Sequence, residues 1–117
     1  MAKSVFNPVA TAATFQLLAN QAPAPAGGVA SRTLLHTQGG KAMIFSFDAG
    51  QELSEHTNPN HAILCGLTGT MNVMAGGVTH HIGPGDLLHM PPHLPHAVTT
   101  TEAASFLLQL LAPDPAS

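Results

Sequence analysis

Gly83-Pro84-Gly85-Asp86-Leu87-Leu88-His89-Met90-Pro91-Pro92-His93-Leu94-Pro95-His96 is the stretch that decides how this chain folds. Gly-Pro-Gly-Asp is turn chemistry, because proline presets φ, glycine accepts positive φ and aspartate bonds nearby backbone N–H groups. The apolar run Leu87 to Met90 is too short for a helix, and Pro91-Pro92 stops it. A histidine waits beyond the stop. The reading is a turn, a short strand, and a second turn that delivers His96.

Working outward, the same grammar recurs. Lys41 to Asp48 alternates Met43, Phe45 and Phe47 against Ala42, Ile44 and Ser46, the period of two expected of a strand. Ser31 to Thr37, His61 to Thr68, Asp86 to Met90, Ala97 to Thr101 and Ser105 to Leu111 read as further strands. Gly76-Gly77 between Thr70 to Ala75 and Val78 to Ile82 is a two-residue hairpin signal. Glycine and proline recur too often for long helices. The chain is read as all-β, a barrel or double-sheet jelly roll that closes its edges.

Residues 1–30 differ from the rest. Val5 to Asn20 suits a short helix or an edge strand, and Gln21 to Gly28 is a Pro/Gly linker. The division predicted is an N-terminal arm over residues 1–30, a barrel over 31–112 and a frayed tail over 113–117.

The 117 residues fit one domain. Only 8% are charged and 44% hydrophobic, against a usual charged share of about 25%. So uncharged a surface predicts burial against a partner, most simply a second copy. The fixed cations are Lys3, Arg32 and Lys41 and the net charge is −3, which excludes a phosphate-backbone partner built on clustered Lys and Arg. No apolar run spans a bilayer. Cys65 is single, so no intrachain disulfide forms and a reduced, cytoplasmic setting is expected.

The glycine, proline and histidine spacing resembles the cupin superfamily, in particular its small single-domain members of the cupin 2 conserved-barrel type. That family's first motif runs Gly, five residues, His-x-His, three or four residues, Glu, six residues, Gly. Gly50, His56, Asn58 and Gly69 follow it. The second motif runs Gly, five residues, Pro-x-Gly, two residues, His. Gly85, Pro91 and His96 follow that, with His93 where glycine is usual. The resemblance covers roughly residues 31 to 111. It implies a double-stranded β-helix, the jelly-roll cupin barrel, with any metal inside.

The departures fall on the metal ligands. The family uses three histidines and a glutamate, whereas this chain has Asn58 at the second histidine position and Ala62 at the glutamate position. His61 lies one residue off, which on a regular strand turns it to the opposite face. A β-bulge between Pro59 and Ala62 would turn it back. Zinc, iron, nickel or manganese wants about three protein ligands and an open position, so His56, His61 and His96 form the candidate metal set. Asn58, Ala62, Met43, Phe45 and Met90 are the candidate pocket wall.

No carboxylate is placed as a general base, and Cys65 has no nearby cation to activate it. The first function expected is therefore binding of a small molecule in a pocket of apolar residues with His56 and His96. The alternatives are a metal-dependent enzyme of dioxygenase or isomerase type using His56, His61 and His96, and a structural or regulatory dimer with a vestigial cavity. Whether the chain is an enzyme stays open at this level.

Overall fold

The computed structural model describes residues 11–115. Nine strands follow in order: β1 (Val29–Thr37), β2 (Gly40–Phe47), β3 (Glu52–His56), β4 (His61–Thr68), β5 (Met71–Ala75), β6 (Val78–Ile82), β7 (Leu87–Met90), β8 (His96–Thr100) and β9 (Ala104–Leu111). They form two antiparallel sheets, β1-β2-β9-β4-β7 and β3-β8-β5-β6. The architecture is the all-β jelly roll expected. Among the described residues no helix is long and apolar enough to cross a membrane.

Alternation along the strands builds the core between the sheets. Phe47, Leu64, Val73, Met90, Val98 and Phe106 are each at most 2% exposed and pack as one cluster. Phe106 stacks on Phe45 at 5.2 Å and meets Phe47 at 5.7 Å. Each such side chain contributes roughly 1.5–3 kcal/mol of burial.

The opening stretch folds as its residues dictate. Gly83 N–H donates to Asp86 Oδ2 at 2.9 Å, and Asp86 N–H to the Gly83 carbonyl at 3.1 Å. The turn then docks on β4, where Gly66 N–H donates to the Asp86 carbonyl at 2.9 Å. A side chain at Gly66 would meet the Gly83 carbonyl oxygen at 2.1 Å, so this close approach needs glycine. Gly76 and Gly77, both at positive φ, turn the β5–β6 hairpin, as a type I′ turn requires.

Over its described residues the arm forms neither a short α-helix nor an edge strand. Residues 11–17 have no regular structure, and only Leu18–Asn20 makes a 3₁₀ turn. The part of that expectation over residues 1–10 lies outside the described residues. The turn packs on β2, β4 and β9, and Ala22 is buried. Asp48 clamps the linker, accepting from Gly27 N–H at 2.6 Å, while its own N–H donates to the Gly28 carbonyl at 3.0 Å.

Candidate functional site

His56 and His96 are register partners on the adjacent strands β3 and β8. Their ring centroids lie 4.2 Å apart at 60°. Strand parity alone would not allow this. Leu53 faces the interior, and on a regular strand a residue three further on faces out. A register shift between Leu53 and His56 adds one residue to β3, and this bulge turns His56 inward.

The bulge found lies upstream of the one that would have turned His61 inward, and it serves His56 instead. The polar sequence Glu52-Leu53-Ser54-Glu55-His56 carries no alternation that betrays β3, so sequence reasoning missed both the strand and its irregularity.

Each ring is pinned in the same way. His56 Nδ1 donates to the Ser54 carbonyl and His96 Nδ1 to the Leu94 carbonyl, both at 2.9 Å. A neutral imidazole that gives its Nδ1 proton away keeps a lone pair on Nε2. His96 is 8% exposed, whereas His56 lies open to solvent. Both line a cavity of about 40 Å³ with Phe45, Leu53, Met90 and Phe106 among its apolar walls. Larger hollows of about 300 Å³ beside His81 and about 420 Å³ beside His36 contain neither ring.

The other expected residues divide. Phe45 and Met90 line the cavity. Ala62 faces inward and is buried in the core, opposite Met90. Met43 shares the inward face of β2 with Phe45 but stands two residues along, opposite Leu108. Asn58 does not face the cavity. Its Oδ1 accepts from Asn60 N–H at 2.8 Å and its carbonyl accepts from His93 N–H at 2.7 Å, so it shapes the loop.

His61 is not brought to the site. β4 is regular from its first residue, with His61 opposite Leu111 and Ala62 opposite Leu110. The ring of His61 therefore lies on the outer face, where it meets His89 at 3.0 Å and Asp114 at 3.3 Å. The candidate metal set of His56, His61 and His96 does not assemble. Among the described residues no group of three or more His, Cys, Asp or Glu stands where it could hold a metal ion. Two imidazoles with alanine in the carboxylate position do not fit a resident ion of the three-histidine and glutamate kind.

The comparisons with known proteins agree on the architecture. A family model described as "Cupin domain" matches residues 43–109. A conserved protein of unknown function from Streptococcus pyogenes, SPY1581, is 29% identical with a TM-score of 0.80, over 98% of this chain and 100% of that one. A cupin superfamily protein from Desulfitobacterium hafniense is 20% identical with a TM-score of 0.76, over 93% and 99% of the two chains. The DMSP lyase DddQ from Ruegeria pomeroyi is 22% identical with a TM-score of 0.68, over 76% of this chain and 49% of that one. The last two show the fold alone. None of the curated proteins is similar enough in sequence to count as a relative.

Proposed function

The chain belongs to the cupin family, and on that premise we propose that it binds a small molecule whose polar head rests on His56 and His96. The observation that carries this reading is the pair of identically pinned rings lining one apolar cavity. Fixed Nδ1–H tautomers offer two Nε2 acceptors to a hydroxyl or amine of the ligand. Phe45, Met90 and Phe106 keep water from the inner side of that contact, which strengthens it.

The cavity limits what enters. At about 40 Å³ it takes a group of roughly one water's volume, about 30 Å³, whereas whole-ligand pockets run to about 300–1,000 Å³. The head enters, and the body of the ligand lies across the open side at His56.

The test is an NMR titration of the histidine side-chain nitrogens with a panel of small alcohols, amines and carboxylates. The expected result is a saturable shift at His56 and His96, lost in His56→Ala and His96→Ala and kept in His81→Ala. Binding that ignores both substitutions would sink the reading.

A second reading, a metal-dependent enzyme, rests on the same tautomers, since a ring that bonds a carbonyl through Nδ1 is oriented to ligate through Nε2. It needs zinc, iron, nickel or manganese held by two protein nitrogens only, and is weaker for that. Elemental analysis of untagged protein decides it. One equivalent of metal, lost in His56→Ala, supports it, and metal-free protein at neutral pH ends it. The lone Cys65 supports a reduced, cytoplasmic setting, which fractionation of the producing cells would check.

A further inference from the structure

We propose that a second hollow, at the β1–β2 turn end of the five-stranded sheet, binds a small organic carboxylate with Lys41 as its counter-charge. The hollow measures about 420 Å³, and neither His56 nor His96 lines it. It is a site apart from the paired histidines, with a different chemistry.

Strand parity puts the cation there. Met43 and Phe45 share the inward face of β2, and the same period of two places Lys41 on that side near the start of the strand. Lys41 pairs with Leu110 on β9, which pairs in turn with the buried Ala62 of β4. His36 joins this row by a slip in register. Arg32 pairs with Ile44 on the outer face, and on a regular strand a residue four further on shares that face. A register shift between Thr33 and Leu35 adds one residue to β1, so His36 stands opposite Lys41.

The rim is fixed by its own hydrogen bonds. Thr37 commits its hydroxyl to the turn, accepting from Gly39 N–H at 3.2 Å and donating to the Gly40 carbonyl at 3.3 Å. The Gly39 carbonyl accepts from Ala112 N–H at 2.8 Å. Gly40 lies so close to β9 that a Cβ there would fall 2.1 Å from the Leu110 carbonyl oxygen, an approach that needs glycine. Asn60, also in the wall, has its N–H held by Asn58 Oδ1 at 2.8 Å. The hollow is formed before a ligand arrives, so binding costs little ordering.

Charge selects the ligand. Among the described residues the fixed cations are Arg32 and Lys41. Arg32 Nη1 donates to Gln21 Oε1 at 2.6 Å. The ion pair found among the described residues joins His61 to Asp114, and no carboxylate lines the hollow of Lys41. Gln38 and Asn60 line it as well, and each amide carries two N–H donors. An ammonium repels metal ions and amines and attracts an anion. One ammonium balances one carboxylate, whereas a phosphate monoester brings a charge of about −1.5 to −2. Leu110, Ala112 and Pro113 complete the wall and suit a short hydrocarbon body. The volume falls in the range of about 300–1,000 Å³ that takes a whole ligand.

The experiment is an NMR titration of the ¹⁵N-labelled full chain, at fixed ionic strength, with butyrate, acetate, inorganic phosphate and butylamine. Butyrate is expected to give saturable shifts centred on the backbone amides of His36 to Lys41 and of Asn60. Each buried methylene strengthens binding about fourfold, so butyrate should bind at least that much more tightly than acetate. Phosphate and butylamine should bind more weakly than butyrate. Lys41→Gln should lose roughly tenfold or more in affinity, as for a lost hydrogen bond to a charged group. Lys41→Arg should keep most of it, and amide shifts elsewhere in the chain should show both variants folded. Shifts that do not saturate, butyrate affinity unchanged in Lys41→Gln, or phosphate bound more tightly than butyrate would each overturn the proposal. Shifts centred on His56 and His96 would overturn it too, and would leave the reading of the paired histidines standing.

Discussion

His61 Nδ1 lies 3.0 Å from His89 Nε2, with His61 Nε2 3.3 Å from Asp114 Oδ1. With nitrogens 3.0 Å apart and ring centroids 5.2 Å apart, the two nitrogens face one another along the line of centres. That is the geometry of an N–H···N hydrogen bond, not of two lone pairs converging on an ion. A carboxylate accepts, so a neutral His61 that gives its Nε2 proton to Asp114 receives the His89 Nε2 proton at Nδ1.

His61→Ala is therefore expected to leave ligand binding and metal content unchanged, because its ring lies on the face of β4 opposite the cavity. Its stability cost should be about 1 kcal/mol or less, as for exposed pairs. Chemical denaturation and the histidine titration described above check both halves. A variant that loses ligand or metal would restore His61 to the site.

Asp48 carries an acid-side stability dependence. Hydrogen bonds from the N–H groups of Gly27 and then Ala49 hold its carboxyl below the usual carboxylate range. A depressed folded value means stability that is present above the unfolded pKa, about 3.9, and is lost as pH falls through the folded value. Urea midpoints of wild type and Asp48→Asn should differ at pH 7, with wild type the more stable. They should draw together as the carboxylate protonates. A constant gap would reject the linkage.

His93 sits at φ 67°, a left-handed conformation that costs an L-residue about 1–2 kcal/mol. Glycine removes that cost while adding about 0.5–1 kcal/mol of chain entropy to lose. His93→Gly should thus gain about 0.5 kcal/mol and raise Tm by a few degrees. The His93 N–H bond to the Asn58 carbonyl survives the change. A lower Tm would mean the imidazole itself supports the loop.

Ser46 Oγ is buried and has no hydrogen-bond partner among the described residues. An unmet buried hydroxyl costs about 1–3 kcal/mol, so Ser46→Ala should stabilise the fold by about 1 kcal/mol. A thermal melt settles the sign.

Much of the fold was legible because its signals are local. Alternation in Lys41 to Asp48, the Gly76-Gly77 turn and the Gly83 to Asp86 turn each state their structure within a few residues. What stayed hidden depends on pairing. β3 has Leu53 as its one inward apolar residue, and its bulge exists only relative to β8. The inward turn of His56 was for that reason readable only from the resemblance. The placement of His61 followed from parity alone, as soon as no bulge intervened after Pro59. Which strands the arm meets, β2, β4 and β9, depends on residues far apart in the chain, so its Pro/Gly linker could not name them.

The direct pairing of His56 with His96 across β3 and β8 leaves the site without a part that can be tuned alone. The gap between the rings is set by the backbone ladder, and each tautomer by a carbonyl two residues back. A slip in that ladder would remove both nitrogens together. Selection or engineering for a new ligand must then work on the surrounding walls, because the pair is inherited with the sheet as one rigid instrument.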